Sequence, residues 1–147
     1  MTIADRMRTI ISVRATPPSR LEVHWSDGTT APLELSAVLR LPAFKALRVP
    51  AMFAGAELGE WGHSVRWPSG AEIGADTLWL ETLSATGRSD TRAFLEWRLR
   101  HGLSLSATAA ALGLSRRTVA YYSNGERRIP RSVLLACRGW EAIEAAA

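Results

Sequence analysis

Residues 102–125 read GLSLSATAAALGLSRRTVAYYSNG, and this stretch decides how the chain is understood. Ser104 stands just ahead of the alanine-rich run Leu105 to Leu112, and Ser115 just ahead of Arg116 to Ser123. A serine hydroxyl in that place accepts from an amide that the first helical turn leaves unpaired, so each serine predicts a helix start. Gly113 supplies the left-handed residue between the two helices, and Asn124-Gly125 stops the second. The helices cross at Ala109, which must be small. Leu112, Val119 and Tyr122 are spaced to face inward, leaving Arg116, Arg117, Ala120, Tyr121 and Asn124 toward solvent or a groove.

The helical period extends to both sides. Asp90 is expected to cap a helix ending at His101-Gly102, with Phe94, Leu95 and Leu99 on its apolar side and Trp97 as a further candidate. Pro130 lacks an amide proton, which costs nothing in a first turn, and opens a fourth helix with Val133, Leu134, Cys137, Trp140 and Ile143 inward. Cys137 is the only cysteine, so an intramolecular disulfide and a cysteine-rich zinc site are excluded; it reads as a small core residue.

Upstream the period is two. Strands are expected at Ile10–Arg14, Arg20–Trp25 and Ala31–Leu35, with turns at Thr16-Pro-Pro-Ser19 and Ser26-Asp-Gly-Thr29. Single helical turns at Ser36–Leu39 and Pro42–Leu47 precede an apolar loop through Met52 and Phe53. A second hairpin runs from Ala56–Gly59 into Gly62–Trp67, then through Pro68-Ser-Gly70 to Ala71–Ile73. Asp76 is expected to cap a helix over Thr77–Leu83, and Ser84–Ser89 has the small, polar composition of a linker. The fold class is therefore α+β: a small meander and hairpin domain over residues 1–84, and an all-α domain over residues 85–147. Trp25, Trp61, Trp67 and Trp79 are expected in the core of the first rather than as a stacking platform for single strands.

Composition is globular, with 47% apolar and 22% charged residues. Charge is divided unevenly: residues 1–84 carry eight Lys/Arg against nine Asp/Glu, and residues 85–147 carry ten against five. A basic carboxy-terminal part beside a near-neutral amino-terminal part points to a polyanion-binding module on a separate partner domain. No apolar run approaches the roughly 18 residues that a membrane span needs. The opening Met1-Thr-Ile-Ala-Asp-Arg6 lacks the apolar run of a secretion signal, so no membrane contact and a cytoplasmic location are expected.

Catalysis has no visible seat. His24, His63 and His101 have no partner at metal-ligand spacing, and Cys137 has no acid or base nearby in sequence before Glu141. Glu57 and Glu60 flank a turn, where exposed acids are ordinary. Gly55, Gly59 and Gly62 precede no strong helix that would cradle a phosphate. No enzyme activity, metal or cofactor is expected.

Two helices joined by a tight glycine-containing turn match the helix-turn-helix pattern. From Thr91 to Ala145, including the Asn124-Gly125 ending and Pro130, the chain resembles the lambda-repressor and Cro-like family. That resemblance implies double-stranded DNA as partner. It makes Arg116, Arg117, Tyr121 and Asn124 candidates for base contact, and Ser104, Ser115, Thr118, Arg127, Arg128 and Arg131 candidates for backbone contact. Three positions depart from the family: Leu105 stands where Gln is common, Thr108 where an apolar residue is usual, and Ser123 where an acid is common.

The segments Leu21-Glu-Val-His-Trp-Ser-Asp-Gly28, Pro42-Ala-Phe44, Met52-Phe53 and Val65-Arg-Trp67-Pro-Ser-Gly70 are similar to a bacterial family, domain of unknown function 2442. Members of that family occur alone, fused to a helix-turn-helix, or beside small toxin-like proteins. The resemblance implies a binding role and no reaction. Three readings follow: a homodimeric, sequence-specific DNA-binding regulator; an antitoxin-like protein that binds a small protein partner and its own promoter; and an interaction module that has lost DNA binding.

Overall fold

A computed structural model describes residues 8–147, so the opening Met1 to Met7 lies outside the described residues. The fold is α+β, and the described chain divides into two compact units, Arg8–Thr86 and Gly87–Ala147.

In the first unit, alternating polar and apolar residues form an antiparallel meander of β1 (Ile10–Thr16), β2 (Arg20–Trp25) and β3 (Thr30–Glu34). Leu21 lies opposite Ala15 and Leu33, and Val23 opposite Val13 and Ala31. The two-residue period puts Leu21, Val23 and Trp25 on one buried face. Pro32 lacks a ladder donor and is accommodated because β3 is an edge strand. Between β2 and β3, Asp27 Oδ1 accepts from the Thr29 amide at 2.9 Å, and Gly28 takes φ +93°, a value that favours glycine.

Short helices α1 (Ser36–Leu39) and α2 (Pro50–Phe53) flank a 3-10 segment at Pro42–Arg48. Met52 and Phe53, expected in a loop, thus lie in α2, because Pro50 fixes the helical φ at its start. A second antiparallel sheet joins β4 (Glu57–Leu58), β5 (Ser64–Arg66) and β6 (Glu72–Gly74), and α3 (Ala75–Ala85) follows directly.

Indole groups tie these pieces together. Trp25 Nε1 donates to Thr82 Oγ1 on α3 at 3.0 Å, and its ring meets Trp79 edge-on at 5.1 Å. Trp67 Nε1 donates to the Phe53 carbonyl at 2.9 Å while the two rings stack. The Trp25 and Trp67 N–H groups thus keep acceptors while their rings are removed from water; the buried Trp79 N–H has none.

Three further expectations fail in this unit. Asp76 does not cap: α3 starts at Ala75, two residues earlier than expected, because the Ala75 amide bonds the His63 carbonyl at 2.8 Å and the sheet fixes the helix start. Ser84 and Ala85 belong to α3, and the chain leaves the helix only at Gly87, with φ +76°. Trp61, expected in the core, is 80% exposed and holds φ +58°, a left-handed conformation that costs a side-chain-bearing residue about 1–2 kcal/mol.

The second unit comprises α4 (Ser89–His101), α5 (Leu105–Leu112), α6 (Arg116–Ser123) and α7 (Arg131–Ala146). Phe94, Trp97, Ala109, Val119, Tyr122, Ile129 and Cys137 make its core, with Leu103, Leu112, Leu114, Val133, Leu134 and Trp140 packed around. Phe94 meets Tyr122 edge-on at 5.9 Å, and Trp97 meets Trp140 at 5.5 Å. Burial pushes the Cys137 thiol up to about 11, with help from the Glu141 charge.

Here Trp97 is buried and Leu99 is 52% exposed, since the inward stripe of α4 runs through Phe94, Trp97, Arg98 and His101. Ile143 is 69% exposed: α7 meets α4 as far as Glu141, which holds Arg100 and His101 at 2.9 and 3.0 Å, and residues 142–147 face solvent. Asp90 is not the cap either. It sits in the first turn of α4, and its carboxylate accepts from the Ile129 amide.

Candidate nucleic-acid interface

The geometry of α5 and α6 follows from their ends. Ser104 Oγ accepts from the Ala107 amide at 3.0 Å, and Ser115 Oγ from the Thr118 amide at 3.1 Å. Gly113 takes φ +67°, which lets the Leu114 amide return to the Ala109 carbonyl at 3.0 Å and turn the chain sharply into α6. Both serines and the turn glycine act as their positions predict.

Helix α6 buries Val119, Tyr122 and Ser123. At 100° per residue the opposite strip is Arg117, Tyr121 and Asn124, flanked by Arg116 and Ala120. Arg116 and Arg117 are exposed, whereas Thr118, Tyr121 and Asn124 are half-buried. The Arg127 guanidinium lies 4.1 Å over the Tyr121 ring, a cation–π contact that holds both groups beside the end of α6. Ser115 and Thr118 also share a hydroxyl hydrogen bond of 2.9 Å.

The basic side chains divide into two groups. Arg88 pairs with Asp90, Arg92 with Glu96, and Arg100 with Glu141. Arg128 donates to the Gly87 carbonyl at 2.8 Å and lies 3.5 Å from Asp90. Arg116, Arg117 and Arg131 are exposed with no ion pair among the described residues. In this unit the exposed guanidinium groups with no ion pair among the described residues therefore lie along α6, in the loop after it and along α7, with Arg127 and Arg138 joining Arg116, Arg117 and Arg131.

Several residues that shape this surface carried no local signal. Arg88, in the expected linker, donates to the Gly125 carbonyl at 2.8 Å and to the Arg127 carbonyl at 3.3 Å, pinning the loop after α6. Arg98, 2% exposed, donates to Ser123 Oγ at 2.7 Å and to the Leu103 carbonyl at 3.3 Å. Two of the three departures from the family pattern are thus core positions: Ser123 receives a buried guanidinium, and Thr108 is fully buried with its hydroxyl unpaired.

No group of three or more His, Cys, Asp or Glu is placed to hold a metal among the described residues, and no helix there is long and apolar enough to cross a membrane.

The second unit is a helix-turn-helix domain, with α5 and α6 as its two defining helices and residues 95–137 matching the family described as helix-turn-helix. Residues 10–82 match the family described as protein of unknown function (DUF2442). The chain belongs to the DUF2442 family in its first unit and to the lambda-repressor and Cro-like helix-turn-helix family in its second. It is similar to the crystal structure of a candidate DNA-binding protein, NE0471, from Nitrosomonas europaea. Identity is 34% over 95% of this chain and 90% of that one, with a TM-score of 0.72. Among proteins of curated function none is significantly similar.

Proposed function

We propose that this chain is a sequence-specific DNA-binding transcriptional regulator and not an enzyme, acting as a homodimer, with α6 entering the major groove. The observation that carries this reading is a capped helix whose exposed strip bears unpaired Arg116 and Arg117 beside Tyr121 and Asn124. An arginine can donate two parallel hydrogen bonds to the O6 and N7 of guanine, which discriminates against other bases by about 1–3 kcal/mol. Those four residues are assigned to base contact. Arg127 and Arg131, with the amides at the starts of α5 and α6 set by Ser104 and Ser115, are assigned to the sugar-phosphate backbone. Thr118 joins them from the first turn of α6. Arg128, already engaged by Gly87 and Asp90, is assigned to holding the α6–α7 loop. The helix-turn-helix family match and the description of the Nitrosomonas protein as DNA-binding support the same reading.

Selection of bound fragments from random duplex DNA tests it. A dimer should enrich two related half-sites about one helical turn apart, roughly 34–36 Å. Enrichment of no motif would overturn sequence-specific binding.

One observation favours a second role for the first unit. Trp61 is 80% exposed and sits at φ +58° in a turn whose next residue, Gly62, packs so close to β1 that a Cβ there would meet the Ile10 carbonyl at 2.4 Å. An exposed tryptophan is suited to anchoring a protein partner, as the antitoxin-like reading requires. Co-purification with the product of an adjacent small gene, lost in Trp61→Ala, is the expected result; retention would count against this role.

A further inference from the structure

The α4–α7 face of the second unit contains a cleft of about 410 Å³, of which the DNA reading uses only Arg131. Its volume falls within the ~300–1,000 Å³ range usual for small-molecule sites. The apolar lining comes from Trp97, Leu134 and Leu135. Leu135 is 52% exposed, although a leucine left in water forgoes the stabilisation of burial. The charged lining is unbalanced. Glu96 is paired with Arg92 at 3.2 Å, and Glu141 with Arg100 at 2.9 Å and His101 at 3.0 Å. Arg131 and Arg138 line the same cleft and have no ion pair among the described residues. Seven residues apart, they lie two turns from each other on one face of α7, with Leu134 and Leu135 between them.

We infer that this cleft is a binding site for a small amphipathic anion, an aromatic or acyl carboxylate. Its apolar body lies on Trp97, Leu134 and Leu135, and its carboxylate is held by Arg138 and Arg131. The acids in the lining are already neutralised, so they do not repel such a ligand, while the free guanidinium groups supply the charge it lacks. A consequence rests on the proposed DNA reading: ligand and phosphate compete for Arg131, so binding at this cleft lowers DNA affinity.

The test uses the full chain without DNA, with 4-phenylbutyrate as probe and its amide, 4-phenylbutyramide, as neutral control, measured by titration calorimetry. Saturable 1:1 binding is expected, with a Kd below about 1 mM. The amide should bind about tenfold more weakly, and Arg138→Gln should weaken the carboxylate about tenfold at an unchanged melting temperature. Leu135→Glu should abolish binding. Absence of saturation, equal affinity for acid and amide, or indifference to Arg138→Gln would each overturn the inference. Because no DNA is present, these outcomes are independent of whether α6 reads a duplex. If the site binds the probe yet the probe leaves DNA affinity unchanged, the competition for Arg131 is overturned and the site stands.

Discussion

The Asp90 carboxylate accepts a hydrogen bond from the Ile129 amide at 2.9 Å, joining the first turn of α4 to the residue just ahead of Pro130 across 39 positions of sequence. Arg88 and Arg128 both approach the Oδ1 of the same carboxylate, at 3.6 and 3.5 Å. Burial acts to raise the Asp90 pKa, but the Ile129 and Thr91 amides and the two guanidinium groups outweigh it and hold it below the usual carboxylate value. A carboxylate with a lowered folded-state pKa contributes stability that is complete above its unfolded value, about 3.9, and is lost as pH falls through the folded value. Chemical denaturation of the second unit's transition should therefore show a loss below about pH 4. Asp90→Ala should reduce that loss and cost about 1–3 kcal/mol at neutral pH, since the Ile129 amide is left without its acceptor. A variant with the same pH profile as the parent would exclude Asp90 as the source.

Ser115→Ala removes the acceptor for the Thr118 amide and should cost about 1 kcal/mol of stability, while Ser115→Asp should stay within a few tenths. Urea titrations of both variants decide this. Equal losses would mean that the serine acts through something other than its cap.

Thr108→Val is expected to stabilise. The Thr108 hydroxyl is fully buried with no hydrogen-bond partner, and valine keeps its shape while removing the unpaired group. A gain of about 1 kcal/mol in thermal or urea unfolding is anticipated. A loss would show that the hydroxyl has a partner in solution.

Trp61→Gly should also stabilise, by about 1 kcal/mol, because a glycine adopts φ +58° without the clash of a Cβ and the exposed indole forfeits little burial. The melting temperature of the first unit is the readout, and a decrease would place the indole against the protein in solution.

What could be read from the sequence is what acts over a few residues. Ser104, Ser115, Gly102 and Gly113 each set a helix end through groups three to five positions away, and the meander announced itself by alternation and by its Asp27-Gly28 turn. Asp90 and Asp76 had equally good local credentials and failed because distant groups claimed those places: the Ile129 amide took the first carboxylate, and the β5–β6 pairing fixed the start of α3. Helix period alone could not choose between Leu99 and Trp97, since the choice depends on where Trp140 arrives from α7. Trp61 resembled three other tryptophans in composition but not in backbone, and no local pattern marked Arg88 as the clamp on Gly125. Within the candidate interface, exposure of Arg116 and Arg117 followed from spacing, whereas the diversion of Arg128 to Gly87 and the stacking of Arg127 on Tyr121 did not.

The central claim, that the strip of Arg117, Tyr121 and Asn124 lies against DNA, is tested most directly by fluorescence anisotropy of a selected duplex across a salt series. Parent affinity should fall with a log–log slope of about −0.9 per phosphate neutralised, hence close to −2 per protomer if Arg127 and Arg131 each hold one. Arg131→Ala should reduce that slope by about one unit and weaken all sequences alike, while Arg117→Ala should erase about 1–3 kcal/mol of preference at one base pair. A flat salt dependence, or Arg117→Ala and Arg131→Ala behaving identically, would contradict the account.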